Sequence, residues 1–185
     1  MEIEDIRKRV KKKLSDRRYR HTLGVEKMAV ILAHKNNYDE KKVRIAALLH
    51  DYMKEEKIEN LQNICKGIKE VEGYEELTEI LHGFAAGEII GEEFNIEDKE
   101  IKEAIKYHTI GREKMSLLDK IIYISDAIEE GRDYPGVDKI REEAMENIDK
   151  GIIEEVKRKI EFLKGKDGKI HQNTLKMLRF LEKGR

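Results

Sequence analysis

Apolar residues recur every three to four positions along almost the whole chain, with a single proline and no run of strict apolar–polar alternation. That spacing is the period of an α-helix and is incompatible with the two-residue period of a half-buried strand. The intervening positions are filled largely by Glu, Lys and Arg, all good helix formers. The pattern predicts helices over 2–14, 17–36, 40–54, 57–70, 75–94, 98–110, 116–130, 137–164 and 172–183, within about ±2–4 residues at each end. Turn chemistry separates them at Asn36-Asn37-Tyr38-Asp39, Gly73, Asn95, Gly131-Arg132-Asp133-Tyr134-Pro135-Gly136 and Gly165-Lys166-Asp167-Gly168. The expected fold is all-α, a helical bundle.

At 185 residues the chain suits one domain, 1–185, and no segment reads as an interdomain linker. Its 38 basic residues against 39 acidic ones give no global attraction to a polyanion, so a nucleic-acid partner is not expected. Residues 7–20 hold nine Lys and Arg with Tyr19 as the only aromatic. They read as a solvated helix face rather than a nucleic-acid patch. The apolar runs are too short to span a bilayer and Met1-Glu2-Ile3-Glu4-Asp5 does not resemble a signal peptide, which makes a cytoplasmic location and no membrane partner the expectation. Cys65 is the only cysteine, lies in a polar helical segment and reads as structurally incidental. Monomer and homodimer both remain compatible with the sequence.

Four of the six histidines sit where the helical period calls for an apolar, inward side chain. His21 shares a face with Val25, Met28 and Leu32; His50 follows Val43, Ala46 and Ala47. His82 precedes Ala85, Ala86 and Ile89; His108 follows Ile101, Ala104 and Ile105. One inward histidine is most simply a core residue whose nitrogens find backbone partners. Four converging imidazoles are resolved together by a shared cation, since neutral imidazole is the commonest metal ligand. Two carboxylates are equally displaced: Asp51 closes Ala46-Ala47-Leu48-Leu49-His50, and Asp126 interrupts Ile121-Ile122-Tyr123-Ile124-Ser125. Burying either without a cation or hydrogen bonds would be costly.

Adjacent helical residues diverge by about 100°, so His50 and Asp51 can flank one site only if the helix presents an edge or an end to it. A bridging Asp51 meets that condition. With two divalent ions about 3.5–4 Å apart, His21, His50 and Asp126 would complete one site, and His82 and His108 the other. Iron, manganese, cobalt and zinc all accept this nitrogen and oxygen set.

The ordered set His21, His50-Asp51, Asp126 resembles the signature of the HD-domain metal-dependent phosphohydrolases. Longer runs narrow the resemblance to the bacterial YqeK-type symmetrical diadenosine tetraphosphate hydrolases. They are Arg20-His21-Thr22-Leu23-Gly24-Val25, Ala47-Leu48-Leu49-His50-Asp51-Tyr52-Met53-Lys54, Leu81-His82-Gly83, Tyr107-His108-Thr109-Ile110-Gly111-Arg112 and Met115 to Tyr123. Similarity continues through Glu129 to Val137 and Lys169-Ile170-His171, departing at Glu130 and Gln172, where that family usually has proline. The resemblance implies a single HD domain over 1–185 with a C-terminal helical extension. It also implies a diiron centre and symmetrical cleavage of diadenosine tetraphosphate to two ADP. A hydroxide shared by the ions would attack a phosphorus beside the central bridging oxygen.

Anchors for the polyphosphate are expected at Lys54, Arg112 and Arg132, each close in sequence to a ligand, with surface salt bridges as the alternative. Asp51, Lys54 and Arg112 form the expected catalytic set. Thr109 could donate to a phosphate or to its own helix backbone. Asp119, seven residues before Asp126, could accept from a ligating imidazole or pair with a base. His171 could reach the nucleotide, cap a helix or pack; His34 reads as exposed. A hydrolase of another nucleotide or phosphate ester, and a non-catalytic nucleotide-binding sensor, are the competing functional readings.

Overall fold

The structure is a computed structural model and describes residues 2–184. It contains ten α-helices, one short 3-10 turn and, among the described residues, no strand. In chain order the helices are α1 Ile3–Lys13, α2 Asp16–Lys35, α3 Glu40–Leu49, α4 Ile58–Ile64, α5 Thr78–Phe94, α6 Lys99–Tyr107, α7 Leu117–Ile128, α8 Val137–Glu146, α9 Ile148–Lys164 and α10 Gln172–Lys183. The all-α reading of the sequence therefore stands. None of these helices is long and apolar enough to cross a membrane.

Local signals fix the helix ends. Ser15 caps α2 by accepting from Arg18 N, Asp98 caps α6 through Glu100 N and Ile101 N, and α7 opens with a capping box between Ser116 and Asp119. Each cap satisfies amide groups that have no partner within the helix, a contribution of about 1 kcal/mol apiece. At the other end of α5, Asn95 takes the left-handed conformation that stops the helix.

Three boundaries differ from the sequence expectation. The stretch 137–164 is two helices, because Asn147 is extended and its side chain accepts from Asp149 N and Lys150 N to start α9. The stretch 57–70 is shorter, ending at Ile64. Helix α3 stops at Leu49, leaving 50–55 as successive turns with i−3 hydrogen bonds such as Lys54 N to Asp51 O. Cys65 is also not incidental: it is buried and its Sγ donates to Leu81 O.

One continuous core joins these elements. α7 packs against α2, α3, α6 and α9, while α2 packs on α3 and α5 on α6. Leu32, Leu48, Leu49, Phe84, Phe94, Leu118 and Ile121 are all fully buried or nearly so. Each such side chain contributes about 1.5–3 kcal/mol on leaving water. The central position of α7 draws the inward histidines together, since every helix carrying one contacts α7 or contacts a helix that does.

Candidate metal centre

The six inward polar residues come from five elements and meet at one point. His21 lies in the second turn of α2, His50 and Asp51 at and just past the end of α3, His82 in α5, His108 just past α6 and Asp126 in the last turn of α7. The condition read from the sequence, that His50-Asp51 requires a helix end, is the observed one. Helix C-termini carry partial negative charge, so the ends of α3, α6 and α7 favour a cation among them.

Each imidazole is oriented by its Nδ1. His50 Nδ1 donates to Ala47 O at 2.7 Å, His108 Nδ1 to Ile105 O at 2.7 Å and His82 Nδ1 to Thr78 O at 2.8 Å. His21 Nδ1 donates to Glu129 Oε1 at 3.1 Å. A carbonyl or carboxylate acceptor requires the proton to be on Nδ1, so that each ring, when neutral, presents Nε2 as an inward-facing lone pair.

The Nε2 atoms converge on the two aspartates. Asp51 Oδ1 lies 3.0 Å from His82 Nε2 and 3.8 Å from His108 Nε2, while Oδ2 lies 3.4 Å from His50 Nε2 and 3.6 Å from His21 Nε2. Asp126 Oδ1 is 3.0 Å from His21 Nε2 and 3.9 Å from His50 Nε2. The Asp51 carboxylate therefore has one oxygen toward each half of the cluster. Two overlapping groups, His21/His50/Asp126 and His50/Asp51/His108, have ligand atoms close enough to hold an ion.

The donor chemistry fits divalent cations. His82 Nε2 and His108 Nε2 are 3.0 Å apart, and with both Nδ1 atoms protonated the facing lone pairs repel unless a cation lies between them. His21 Nε2 and His50 Nε2 are buried without a hydrogen-bond partner, an arrangement that proteins seldom leave unsatisfied. The carboxylates are ready to bind. Burial opposes ionisation of Asp51, but positive charge on His50 and hydrogen bonds from His50 and His82 outweigh it and hold its carboxyl well below the usual range; a bound cation would supply that charge in place of the imidazole protons. For Asp126 burial is likewise outweighed by His21, His50 and Arg132. His108 is kept neutral, as a ligand must be, by burial and by its histidine neighbours.

Two glycines permit this packing. A Cβ on Gly83 would stand 3.1 Å from the His108 ring, and one on Gly24 would overlap Glu129 Oε2. Glu129 itself is buried and holds two donors, His21 Nδ1 and Gly131 N. It fills the supporting role that the sequence offered to Asp119. Asp119 takes the other role the sequence allowed, pairing with a base: it closes the α7 cap and binds Arg112.

A cavity of about 430 Å³ opens on the centre through Asp51, His108 and Asp126. Of the expected anchors, Lys54, Thr109, Arg132 and His171 line it. Arg132 is bonded to Asp126 by two contacts, Nε to the main-chain O at 2.8 Å and Nη2 to Oδ1 at 2.7 Å. Thr109 Oγ1 turns to His108 Nε2 at 3.1 Å rather than to its own helix. His171 caps α10, accepting from Asn173 N on Nδ1 and donating from Nε2 to Glu70 O, so only its ring edge meets the cavity. Arg112 is not brought to the cavity. Its guanidinium pairs with Asp119 and Glu103 and lies over the Tyr107 ring, because the chain turns away at Gly111. His34 is exposed and pairs with Glu40.

Sequence reading missed two cations. Arg18 Nη1 donates to Asp51 Oδ2 at 2.8 Å, one helical turn before His21 on the same face. Lys159 extends from α9 into the cavity wall, where Nζ donates to Thr109 O at 2.7 Å beside the Tyr123 ring. Burial lowers the pKa of Lys159, partly offset by Glu155 and Asp126.

The HD domain family model matches residues 18–131, the segment that supplies every residue of the cluster. The chain is 38% identical to the symmetrical bis(5'-nucleosyl)-tetraphosphatase of Staphylococcus aureus, covering 97% of this chain and 94% of that one. It is 35% identical to the Bacillus subtilis enzyme of the same name, with 95% of each covered. A crystal structure from Clostridium acetobutylicum, described as a predicted HD superfamily hydrolase involved in NAD metabolism, superposes with a TM-score of 0.95. It shares 36% identity over 100% of this chain and 99% of that one. With the histidine and aspartate cluster in place and similarity running end to end, the chain belongs to the HD-domain phosphohydrolases and is related to the YqeK-type symmetrical diadenosine tetraphosphate hydrolases.

Proposed function

We propose that this protein hydrolyses diadenosine tetraphosphate symmetrically to two ADP, with iron in a two-ion centre. The carrying observation is the set of four inward Nε2 lone pairs around two carboxylates at the floor of a cavity with cationic and apolar walls. The names carried by the full-length relatives support the choice of substrate. Manganese, cobalt and zinc suit the same donors.

His21, His50 and Asp126 would hold one ion and His82 and His108 the other, with Asp51 shared between them. Ions bound there would supply an activated water and neutralise charge on the phosphoryl oxygens, which is how such centres accelerate phosphoryl transfer. The protein's own groups then bind and orient. Lys54 forms no ion pair with the described residues and stands in the cavity wall with Lys159 and Arg132, a cationic set for the polyphosphate. Thr109 Oγ1, close to His108, can donate to a phosphoryl oxygen.

The rest of the lining is largely apolar. Leu77, Ile80, Ile110, Leu163 and the half-exposed Phe162 form a surface suited to adenine, with His171 at its edge. Because Lys159, Phe162, Leu163 and His171 lie beyond the segment matched by the family model, the domain is read as one HD unit over 1–185. Its C-terminal extension, α8 to α10, would complete the nucleotide site.

Metal analysis of anaerobically purified protein, paired with product analysis, tests the proposal. Diadenosine tetraphosphate should yield ADP alone and iron should be the tightest-held metal. AMP with ATP would refute symmetrical cleavage. Nucleotide binding without turnover on iron, manganese or cobalt would refute an enzyme and leave a sensor.

A further inference from the structure

The basic run of residues 7–20 has a feature that its even exposure on a solvated helix would not produce. Arg17, Arg20, His21 and Gly24 occupy one stripe of α2 at i, i+3, i+4 and i+7, and they form one side of a second cavity of about 470 Å³. The other side is the loop carrying Glu129, Glu130 and Arg132. Arg18 and Arg132 line this cavity and the nucleotide cavity alike, so the two share a wall beside the metal ligands.

The charges in the second cavity are unbalanced. Glu129 is committed to His21 Nδ1 and Gly131 N, and Glu130 to Lys27. Arg132 is paired with Asp126 and Arg18 with Asp51. Arg17 and Arg20 form no hydrogen bond or ion pair with the described residues; Glu55 interacts with Arg17 only at a distance. Arg18 Nε is in addition buried without a hydrogen-bond partner. Two free guanidiniums and one unsatisfied guanidinium N–H, around a cavity that His21 lines and that none of the apolar wall residues enters, form a receptor for phosphate oxygens and not for a base.

We propose that this arginine cavity is the subsite for the second half of the substrate. The assignment rests on symmetrical cleavage of a dinucleoside tetraphosphate: the arginine cavity takes the two phosphates of the departing nucleoside diphosphate, while the apolar cavity takes the other nucleoside. A substrate then spans both cavities across the metal centre. Such a division gives a preference for polyphosphate chains long enough to reach Arg17 and Arg20 from the metals. A simple nucleoside diphosphate fills one limb and gains nothing from the other.

The test compares the metal-loaded wild type with Arg17→Ala/Arg20→Ala. The variant should show a KM for diadenosine tetraphosphate about tenfold higher or more, the weight of one charge-assisted hydrogen bond. Inhibition by ADP should stay within about twofold and inorganic triphosphate should bind the variant about tenfold more weakly by calorimetry. Melting temperature and metal content report an intact fold; Arg20→Gln alone serves if the double variant loses either. An unchanged KM with unchanged triphosphate affinity overturns the subsite. Equal losses for ADP and the tetraphosphate overturn it too, since they would reflect a general field. If the wild type fails to cleave the tetraphosphate, the proposed reaction fails, and the triphosphate comparison alone then decides the cavity: a loss upholds it and no loss overturns it.

Discussion

Gly24→Ala separates support of the metal centre from ligation, because it changes no ligand and no charge. An alanine Cβ at position 24 would overlap Glu129 Oε2 and stand 3.1 Å from its Cδ. The end of a glutamate can ordinarily swing aside at little cost. Here both oxygens are occupied, Oε1 by His21 Nδ1 at 3.1 Å and Oε2 by Gly131 N at 2.6 Å, so moving the carboxylate breaks both contacts. For folding, loss of the two hydrogen bonds costs about 1–3 kcal/mol, while alanine in place of glycine within a helix returns about 1 kcal/mol. The melting temperature of the metal-free protein should consequently fall by no more than about 4–8 °C. Metal affinity should not escape: losing the partner that fixes a ligating imidazole typically weakens binding about 10–100-fold, or about 1.4–2.7 kcal/mol. Competition between the protein and a chelator for manganese measures this directly, with Glu129→Gln as the companion variant. Wild-type affinity in Gly24→Ala would show that Glu129 does not govern the His21 ring.

Other perturbations reach different parts of the molecule. Asp51→Ala should lose most bound metal and activity, and metal content like the wild type would count against a shared carboxylate. Arg112→Ala should destabilise the fold by about 2–4 kcal/mol while leaving metal content intact, because it strands the buried Asp119. Burial, only partly offset by Arg112, already raises the Asp119 pKa, and removing the guanidinium raises it further. A carboxyl raised on folding costs nothing below its unfolded pKa and destabilises as pH rises through the folded value. The melting gap between wild type and Arg112→Ala should therefore widen from about pH 4 towards neutrality. A gap that narrows would refute this account. Asn147→Ala should cost about 1 kcal/mol, a fall of about 2–4 °C in melting temperature, by removing the α9 cap.

The fold and the inward cluster of histidines and aspartates were legible in the sequence for the same reason. A helical period defines an inside, and polar residues placed there demand partners; His21, His50, Asp51, His82, His108 and Asp126 were visible as exceptions to it. Lys159 meets the same criterion, sharing a face with Ile152, Val156 and Leu163, and stands out once lysines are scanned as histidines were. Other features were hidden because period and separation do not report chain direction. The break at Asn147 is masked by Ile140, Ala144, Ile148 and Ile152, whose spacing of four runs through it. Asp119 shares a helical face with Asp126 but lies about two turns away along the axis, at the opposite end of α7. Arg112, four residues past His108, is carried off by the left-handed turn at Gly111. Glu129 lies one residue beyond α7, where no helical face can be projected.

The partners of the four Nδ1 atoms divide the histidines in a way that bears on how such a centre can be tuned. His50, His82 and His108 are set by main-chain carbonyls of Ala47, Thr78 and Ile105, which exist whatever side chains stand there. Their tautomers are inherited from the path of the backbone and are closed to side-chain variation. His21 alone takes its orientation from a side chain, Glu129, within reach of Gly24 and Arg132. The centre thus has three fixed imidazoles and one adjustable one, and the basicity of the adjustable imidazole is the quantity that substitutions around it can reset without disturbing the rest.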